Sequence, residues 1–190
     1  VLQSRGLGDV YKRQDIVYSM QHRIGLNCGR MVTGNMGSEM RMNYTMMGDT
    51  VNLAARLESS AKQYGVYNFV GENIYEAAKT HFAFRFLDFV KVKGKNIPVK
   101  VYELVSDKNE ILNKNIDLIK LFEQGIYYYF KQEWKMAVDK FTQAENLEDK
   151  FESRNTTPSQ IYIERCEMFM KNPPEKDWAV SYTHLTLPTI

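Results

Sequence analysis

One segment, MNYTMMGDTVNLAARLE at residues 42–58, constrains the fold of this chain more than any other stretch. Its apolar residues recur near helical spacing, so it predicts a helix that begins after Asp49, a suitable N-cap, and ends at Gly65. Asn52 and Arg56 lie four residues apart and therefore share one face of that helix. The segment thus predicts a helix with two polar side chains on one face.

The polar residues of this segment suit a nucleotide. Arg56 offers a planar fork of N–H donors that matches phosphate oxygens, and Asn52 offers both a donor and an acceptor. Thr45 lies at the end of the preceding segment and could face the same space. Together the three residues predict a nucleotide site, and the pattern alone is only moderately specific.

Composition limits the class of protein. Of 190 residues, 44% are hydrophobic and 13% aromatic, which allows a packed core in one or two domains. The net charge of +2 comes without a basic tract, so we expect no nucleic-acid partner. Cys28 and Cys166 form no C-x-x-C pair and are predicted to be ordinary buried thiols. No apolar run approaches the ~20 residues of a membrane span and no signal peptide is legible, so a cytosolic soluble fragment is expected.

The two ends of the chain differ from the rest. Residues 1–14 and 181–190 show no periodicity that joins their neighbours, and they resemble translated adapter or vector sequence. We therefore expect an extraneous leader and tail, and a natural protein that continues in both directions.

Residues 23–37 are rich in β-formers and are broken by four glycines. They predict two short strands joined near Cys28–Arg30 as a hairpin. The glycines form turns or, alternatively, cradle phosphate through backbone N–H groups, although no P-loop or dinucleotide fingerprint is present. Six methionines in and after this stretch are expected to be flexible apolar filler rather than metal ligands.

Strands and helices continue to alternate up to residue 105. A strand is predicted at 66–70, a helix at 72–80, and an antiparallel pair of strands at 82–94 and 97–105. This order indicates an α+β architecture. Lys93 at the turn of the last pair is either a solvated loop lysine or a ligand of the nucleotide site, and the residues alone leave both open.

Beyond a polar linker predicted at 106–115, the pattern is wholly helical. Two apolar stripes follow at helical spacing: Leu118, Ile119, Phe122, Ile126 and Tyr129, then Trp134, Ala137, Val138, Phe141 and Ala144. Thr157, Pro158 and Gln160 predict the N-cap, first residue and capping-box partner of a third helix. Its predicted buried stripe is Tyr162, Cys166, Phe169 and Met170, and its end is at Pro173 and Pro174.

The first two of these helices carry a repeat signature. Five residues match the tetratricopeptide spacing G-x2-Y…A-x3-F: Gly125, Tyr128, Ala137, Phe141 and Ala144. Only one repeat is visible, whereas about three are usually needed for a stable solenoid. The unit therefore either packs on the first domain or is the stub of a longer array.

Residues 23–58 and 87–104 closely resemble the C-terminal half of a class III adenylate or guanylate cyclase domain, with YTMMGDTVNLAARLE as the most specific motif. The resemblance implies an incomplete ferredoxin-like cyclase homology domain at 15–106. Residues 107–180 comprise a linker and helices, and the helical segment 115–180 resembles the tetratricopeptide-like tail of some bacterial members. The cyclase resemblance also implies a homodimer through the cyclase domain or a need for a paired domain, and the helical tail either binds a protein partner or braces the domain.

Enzymes of this family convert ATP to cyclic AMP and pyrophosphate with two Mg²⁺ or Mn²⁺ ions. By resemblance, Thr45 reads the adenine, Asn52 orients the ribose, and Arg56 meets the charge that develops on the α-phosphate. Lys93 matches the lysine that holds the terminal phosphates. The family's metal-binding aspartates belong to the N-terminal half, so we expect no metal ligand here and an inactive fragment of an active parent. The alternatives are a guanylate cyclase or a catalytically inert scaffold.

Overall fold

The structure, a computed structural model, describes residues 22–38, 40–90, 98–150, 154 and 156–174. Its strands are β1 (Ile24–Leu26), β2 (Val32–Ser38), β3 (Arg41–Met47), β4 (Asn68–Gly71), β5 (Phe82–Val90) and β6 (Val99–Asp107). Its helices are α1 (Asp49–Ser60), α2 (Glu72–Ala78), α3 (Asn113–Phe130), α4 (Trp134–Glu145) and α5 (Pro158–Lys171), with a short 3₁₀ helix at Ala61–Tyr64.

Four strands form a mixed sheet in the order β1-β4-β6-β5. β1 runs parallel to β4, and β6 pairs antiparallel with both β4 and β5. The antiparallel pair predicted at 82–105 is thereby confirmed, although its turn lies outside the described residues. The α+β architecture predicted from the alternating pattern is confirmed as well.

A separate two-stranded ribbon is formed by β2 and β3, in the register Thr33↔Met46 and Asn35↔Tyr44. The hairpin predicted within residues 23–37 is therefore wrong, because β1 pairs with β4 while β2 pairs with β3. Strand pairing is decided by which faces can be buried, and local β-propensity carries no such information.

Helices cover both faces of the sheet. On one face, a continuous core joins α1, the sheet and the three C-terminal helices through fully buried side chains such as Leu57, Leu87, Phe122, Phe141 and Tyr162. On the other face, Tyr75 of α2 stacks on Tyr102 of β6 with ring centroids 4.0 Å apart. The linker predicted at 106–115 is shorter than expected, since β6 continues to Asp107 and α3 begins at Asn113.

The helices α3 and α4 pack closely because Gly125 leaves room for a ring. A Cβ added at Gly125 would lie 2.5 Å from Cε1 of Phe141. The apolar stripes predicted for both helices are confirmed, with Phe122, Tyr129 and Ala137 fully buried.

Helix α5 begins as predicted, since Thr157 Oγ1 accepts a hydrogen bond from the Gln160 N–H at 3.1 Å and Pro158 is its first residue. The predicted capping box required the Gln160 side chain to bond back to the backbone of Thr157. Instead, the Gln160 side chain donates to Glu164 at 3.3 Å. Met170, predicted to be buried, is exposed.

A buried ion network fastens the C-terminal helices to the sheet. Arg85 on β5 pairs with Glu103 on β6, and its Nη1 donates to Glu148 Oε1 at 2.6 Å. Ser159 at the start of α5 also donates to Glu148, at 2.8 Å. Burial raises the pKa of the Glu103 carboxyl, and Arg85 opposes that rise. The strand predicted at 82–94 did not indicate the burial of Arg85, because a strand pattern does not show which side a helix covers.

Candidate active site

The start of helix α1 is set by a glycine. Gly48 is the N-cap at φ 152°, a conformation that favours glycine, and its carbonyl accepts the N–H groups of Val51 and Asn52 at 3.1 Å. The predicted N-cap, Asp49, is instead the first helical residue and makes no capping hydrogen bond. Its carboxylate still favours the helix start, because the first turn carries partial positive charge.

Two features hold α1 against the sheet. Leu53 and Leu57, one turn apart, are buried in the core. Beneath the helix, Gly25 of β1 lets the strand touch the helix backbone, since an added Cβ would lie 2.2 Å from the Ala54 carbonyl oxygen and 2.4 Å from the Glu58 nitrogen. The axial position of α1 therefore depends on a residue without a side chain.

The loop after β1 fixes the first turn of α1. Asn27 Nδ2 donates to the Thr50 carbonyl at 3.1 Å and to Thr50 Oγ1 at 2.9 Å. A cavity of about 300 Å³ opens beside this contact and is lined in part by Cys28, Arg30 and Asp49. Cys28, predicted to be buried, is half-buried at this cavity.

The exposed side of α1 carries the predicted polar residues. Asn52 is exposed and Arg56, one turn later, is half-buried. Within the described residues, the buried Nε of Arg56 has no hydrogen-bond partner. The guanidinium of this half-buried residue carries further N–H donors on its two terminal nitrogens, and their planar fork matches phosphate oxygens. Arg56 is therefore suited to bind an anionic ligand.

Of the other two predicted residues, Thr45 and Lys93, the structure describes only Thr45. Thr45 is exposed on β3, opposite Gly34 of β2, and the chain passes from this strand through Gly48 into α1. The structure thus brings Thr45 to the strand that leads into the helix of Asn52 and Arg56. Lys93 lies outside the described residues.

Sequence reasoning did not identify Gly25 and Asn27 as residues that position the site. A glycine inside a strand pattern is a known signal of close backbone approach and could have indicated Gly25. For Asn27 the sequence holds no comparable signal, because its partner Thr50 lies 23 residues away.

Metal ligation finds no support in the described ranges, which hold no group of three or more His, Cys, Asp or Glu side chains that could bind an ion. Nor does any helix in these ranges have the length and apolar character to cross a lipid bilayer.

The known proteins that resemble this chain belong to one family. Residues 8–106 match the family described as the adenylate and guanylate cyclase catalytic domain. A terminal-differentiation-specific adenylate cyclase of Dictyostelium discoideum is 31% identical over 154 residues, which is 78% of this chain and 7% of that protein. Adenylate cyclase 1 of Rhizobium meliloti is 39% identical over 83 residues, which is 44% of this chain and 12% of that protein.

The chain thus spans only a small part of the curated relatives it matches. Among solved structures, the adenylyl cyclase CyaB from P. aeruginosa is similar over 55% of each chain, with 28% identity and a TM-score of 0.42.

Proposed function

This chain belongs to the family of adenylate and guanylate cyclase catalytic domains, and on that premise we propose that it is part of an adenylate cyclase, which converts ATP to cyclic AMP and pyrophosphate. The observation that carries the proposal is the α1 face, where Asn52 is exposed and Arg56 keeps a buried Nε without a partner in the described chain. The planar guanidinium fork of Arg56 and the amide of Asn52 suit an anionic nucleotide substrate.

Each proposed residue acts by binding and orienting the substrate. Arg56 donates to the α-phosphate as negative charge develops there, and Asn52 holds the ribose. Thr45 hydrogen-bonds the adenine edge, and Lys93 holds the terminal phosphates. Positioning and charge stabilisation of this kind supply most of the catalysis in phosphoryl chemistry.

The Mg²⁺ or Mn²⁺ ions used by such enzymes do not fit the described residues, which lack a suitable cluster of ligands. We therefore assign no ligand for the metal among the described residues and propose that the N-terminal half of the cyclase domain, which the family resemblance places before residue 15, supplies it. It follows that the isolated chain is expected to be inactive.

Guanylate cyclase is the second candidate. Soluble guanylate cyclase 89Db of Drosophila melanogaster is 36% identical over 73 residues of this chain. Thr45 favours an adenylate cyclase, because guanine-binding members of the family usually carry a different residue at that position.

The test is cyclic nucleotide production by the full-length protein that contains this chain, assayed with Mn²⁺ and either ATP or GTP. We expect cyclic AMP from ATP, and a loss of about 10²–10³-fold in kcat for Arg56→Ala with folding intact. Glu58→Gln, an exposed position on the same helix, serves as the matched control. An inactive full-length protein, or an Arg56→Ala variant as active as the control, contradicts the enzymatic proposal and favours an inert scaffold.

We further propose that the protein is a homodimer and that the β2–β3 ribbon lies in the interface. The ribbon exposes large apolar side chains, among them Val32, Met42 and Tyr44, the last with 74% of its surface accessible. Most of the methionines expected to be flexible apolar filler are exposed in this region. Such a patch is typical of an interaction surface. Light scattering on the full-length protein should show a dimer, and Tyr44→Lys should weaken it, whereas a monomer at all concentrations contradicts this part.

For residues 107–180 we propose a tetratricopeptide-like unit, of the kind that follows some bacterial cyclase domains, with cyclase residues at 15–106. The close fit of Gly125 against Phe141 and the buried Ala137 and Ala144 support the assignment. Whether the unit also binds a protein is tested by crosslinking in cell extract with and without Tyr127→Ala, an exposed position on α3.

The two free cysteines are consistent with a protein that acts in the cytosol.

A further inference from the structure

A second cavity, of about 540 Å³, is lined by none of the described residues proposed to bind the nucleotide. One of its walls is a single stripe of α5: Ile161, Glu164, Arg165 and Met168, at spacings of three and four residues. The facing wall comes from the start of the sheet and the 3₁₀ helix: Arg23, Lys62, Gln63, Gly65 and Tyr67. Its volume is that of a small-molecule site.

The lining carries an excess of positive charge. Arg23, Lys62 and Arg165 are cationic, and Glu164 is the only carboxylate among the described residues that line the cavity. Glu164 already accepts a hydrogen bond from Gln160 at 3.3 Å. Arg165 also pairs with Asp88, outside the lining, at 3.4 Å, so one positive charge remains without a counter-charge, which suits an anion.

One of these cations is held rigidly. The Arg165 guanidinium lies 5.0 Å from the ring centroid of Tyr64 and 4.9 Å from that of Tyr162. Its Nη1 donates to Asp88 at 3.4 Å, the one hydrogen bond recorded for it within the described chain. A guanidinium has five N–H donors, so this fixed group retains donors for a ligand.

Part of the remaining lining is apolar. Met168 is 50% exposed, and Ile161 and Tyr67 are half-buried beside it. At the floor, Gly65 at φ 65° packs so closely that an added Cβ would lie 2.9 Å from the Thr156 carbonyl oxygen. The site therefore combines a closed backbone floor, an apolar side and a cationic rim, the usual features of a pocket for an organic anion.

We propose that this cavity between α5 and the start of the sheet binds a small phosphate monoester with an apolar or aromatic body. The cationic rim receives the phosphate, and Tyr67, Ile161 and Met168 contact the body. Because Arg165 already bonds Asp88 on β5, an occupant that Arg165 binds contacts a side chain that links the helical tail to that strand. The proposal does not depend on cyclase activity.

The test uses the full 190-residue chain and three probes: phenyl phosphate, inorganic phosphate and benzyl alcohol, measured by isothermal titration calorimetry. We expect saturable binding of phenyl phosphate with a dissociation constant below about 1 mM, and weaker binding of the two probes that lack one half of its chemistry. Absence of saturable phenyl phosphate binding to the folded chain overturns the proposal. Equal binding of benzyl alcohol overturns it too, since the cations would then contribute nothing.

Arg165 also packs in the core, so the exposed cations provide the mutational test. Arg23→Gln with Lys62→Gln should weaken phenyl phosphate binding by about tenfold, since hydrogen bonds to charged groups are lost. The matched control is Lys135→Gln, an exposed lysine on α4 that does not line this cavity. Unchanged affinity in the double variant, or an equal loss in the control, would show that phenyl phosphate binds elsewhere and refutes the site.

Discussion

Glu148 offers the sharpest test of how the C-terminal helices are held to the sheet. Its side chain is 1% exposed and bonds Arg85 at 2.6 Å, Ser159 at 2.8 Å and Arg154 at 3.4 Å. Glu148→Gln keeps the size of the side chain but removes the charge, so two buried guanidinium groups lose their shared partner. Arg85 retains Glu103, and this limits the loss.

The expected magnitude follows from burial. Removing one partner of a buried ion pair costs about 3–5 kcal/mol, because the remaining charge stays desolvated. Since Arg85 keeps one carboxylate, we expect the lower end, about 3 kcal/mol, which is a large fraction of the 5–15 kcal/mol stability typical of a domain.

The neighbouring residue supplies a matched control. Asp149 pairs with Lys114 at 2.8 Å, but the two side chains are 67% and 41% exposed. Asp149→Asn makes the same charge change one position away and should cost less than about 1 kcal/mol, because solvent screens an exposed pair.

Urea unfolding followed by circular dichroism measures both variants. A midpoint for Glu148→Gln that falls well below that of Asp149→Asn supports the network as the fastening between the tail and the sheet. If the two variants unfold at the same urea concentration, the buried network contributes no more than a surface pair and the reasoning is refuted.

Three further predictions concern packing and thiol chemistry. Gly25→Ala should destabilise the chain by about 1–3 kcal/mol in the same urea assay, because its Cβ would overlap the α1 backbone; Gly34→Ala, with no atom within 4 Å of the added Cβ, is the control and should change little. Gly125→Ala should cost a similar amount through the Phe141 ring, and a variant as stable as the parent would contradict the close packing of α3 and α4. Burial raises the pKa of the Cys166 thiol to about 12, so at pH 8 only about one thiol in ten thousand is ionised and iodoacetamide should label the half-buried Cys28 first; labelling of native Cys166 at an equal rate would show that it is not buried.

Local patterns predicted the elements of this fold well. The α1 helix, the strand at 68–71, the helix at 72–78 and the capped start of α5 each follow from spacing and a nearby glycine, proline or threonine. These signals act over one to four residues, and such short-range signals are what a sequence displays directly. The shared helix face of Asn52 and Arg56 follows from the same periodicity.

Contacts between distant residues could not be predicted in this way. β1 was expected to pair with its neighbour in sequence, and it pairs with β4 instead. The N-cap of α1 is Gly48 and not the predicted Asp49. The chain must turn sharply between β3 and the helix, and only a glycine reaches φ 152° easily.

The sequence by itself determined the family, the helix that carries Asn52 and Arg56, and the α+β alternation, because each is encoded in contiguous residues. Only the tertiary structure decided that Arg85 is buried and paired with Glu148, 63 residues away, and that α5 and the start of the sheet enclose a cationic cavity. Burial of a residue depends on which other parts of the chain pack over it. A charged side chain in a strand gives the same sequence pattern whether solvent or a helix covers it.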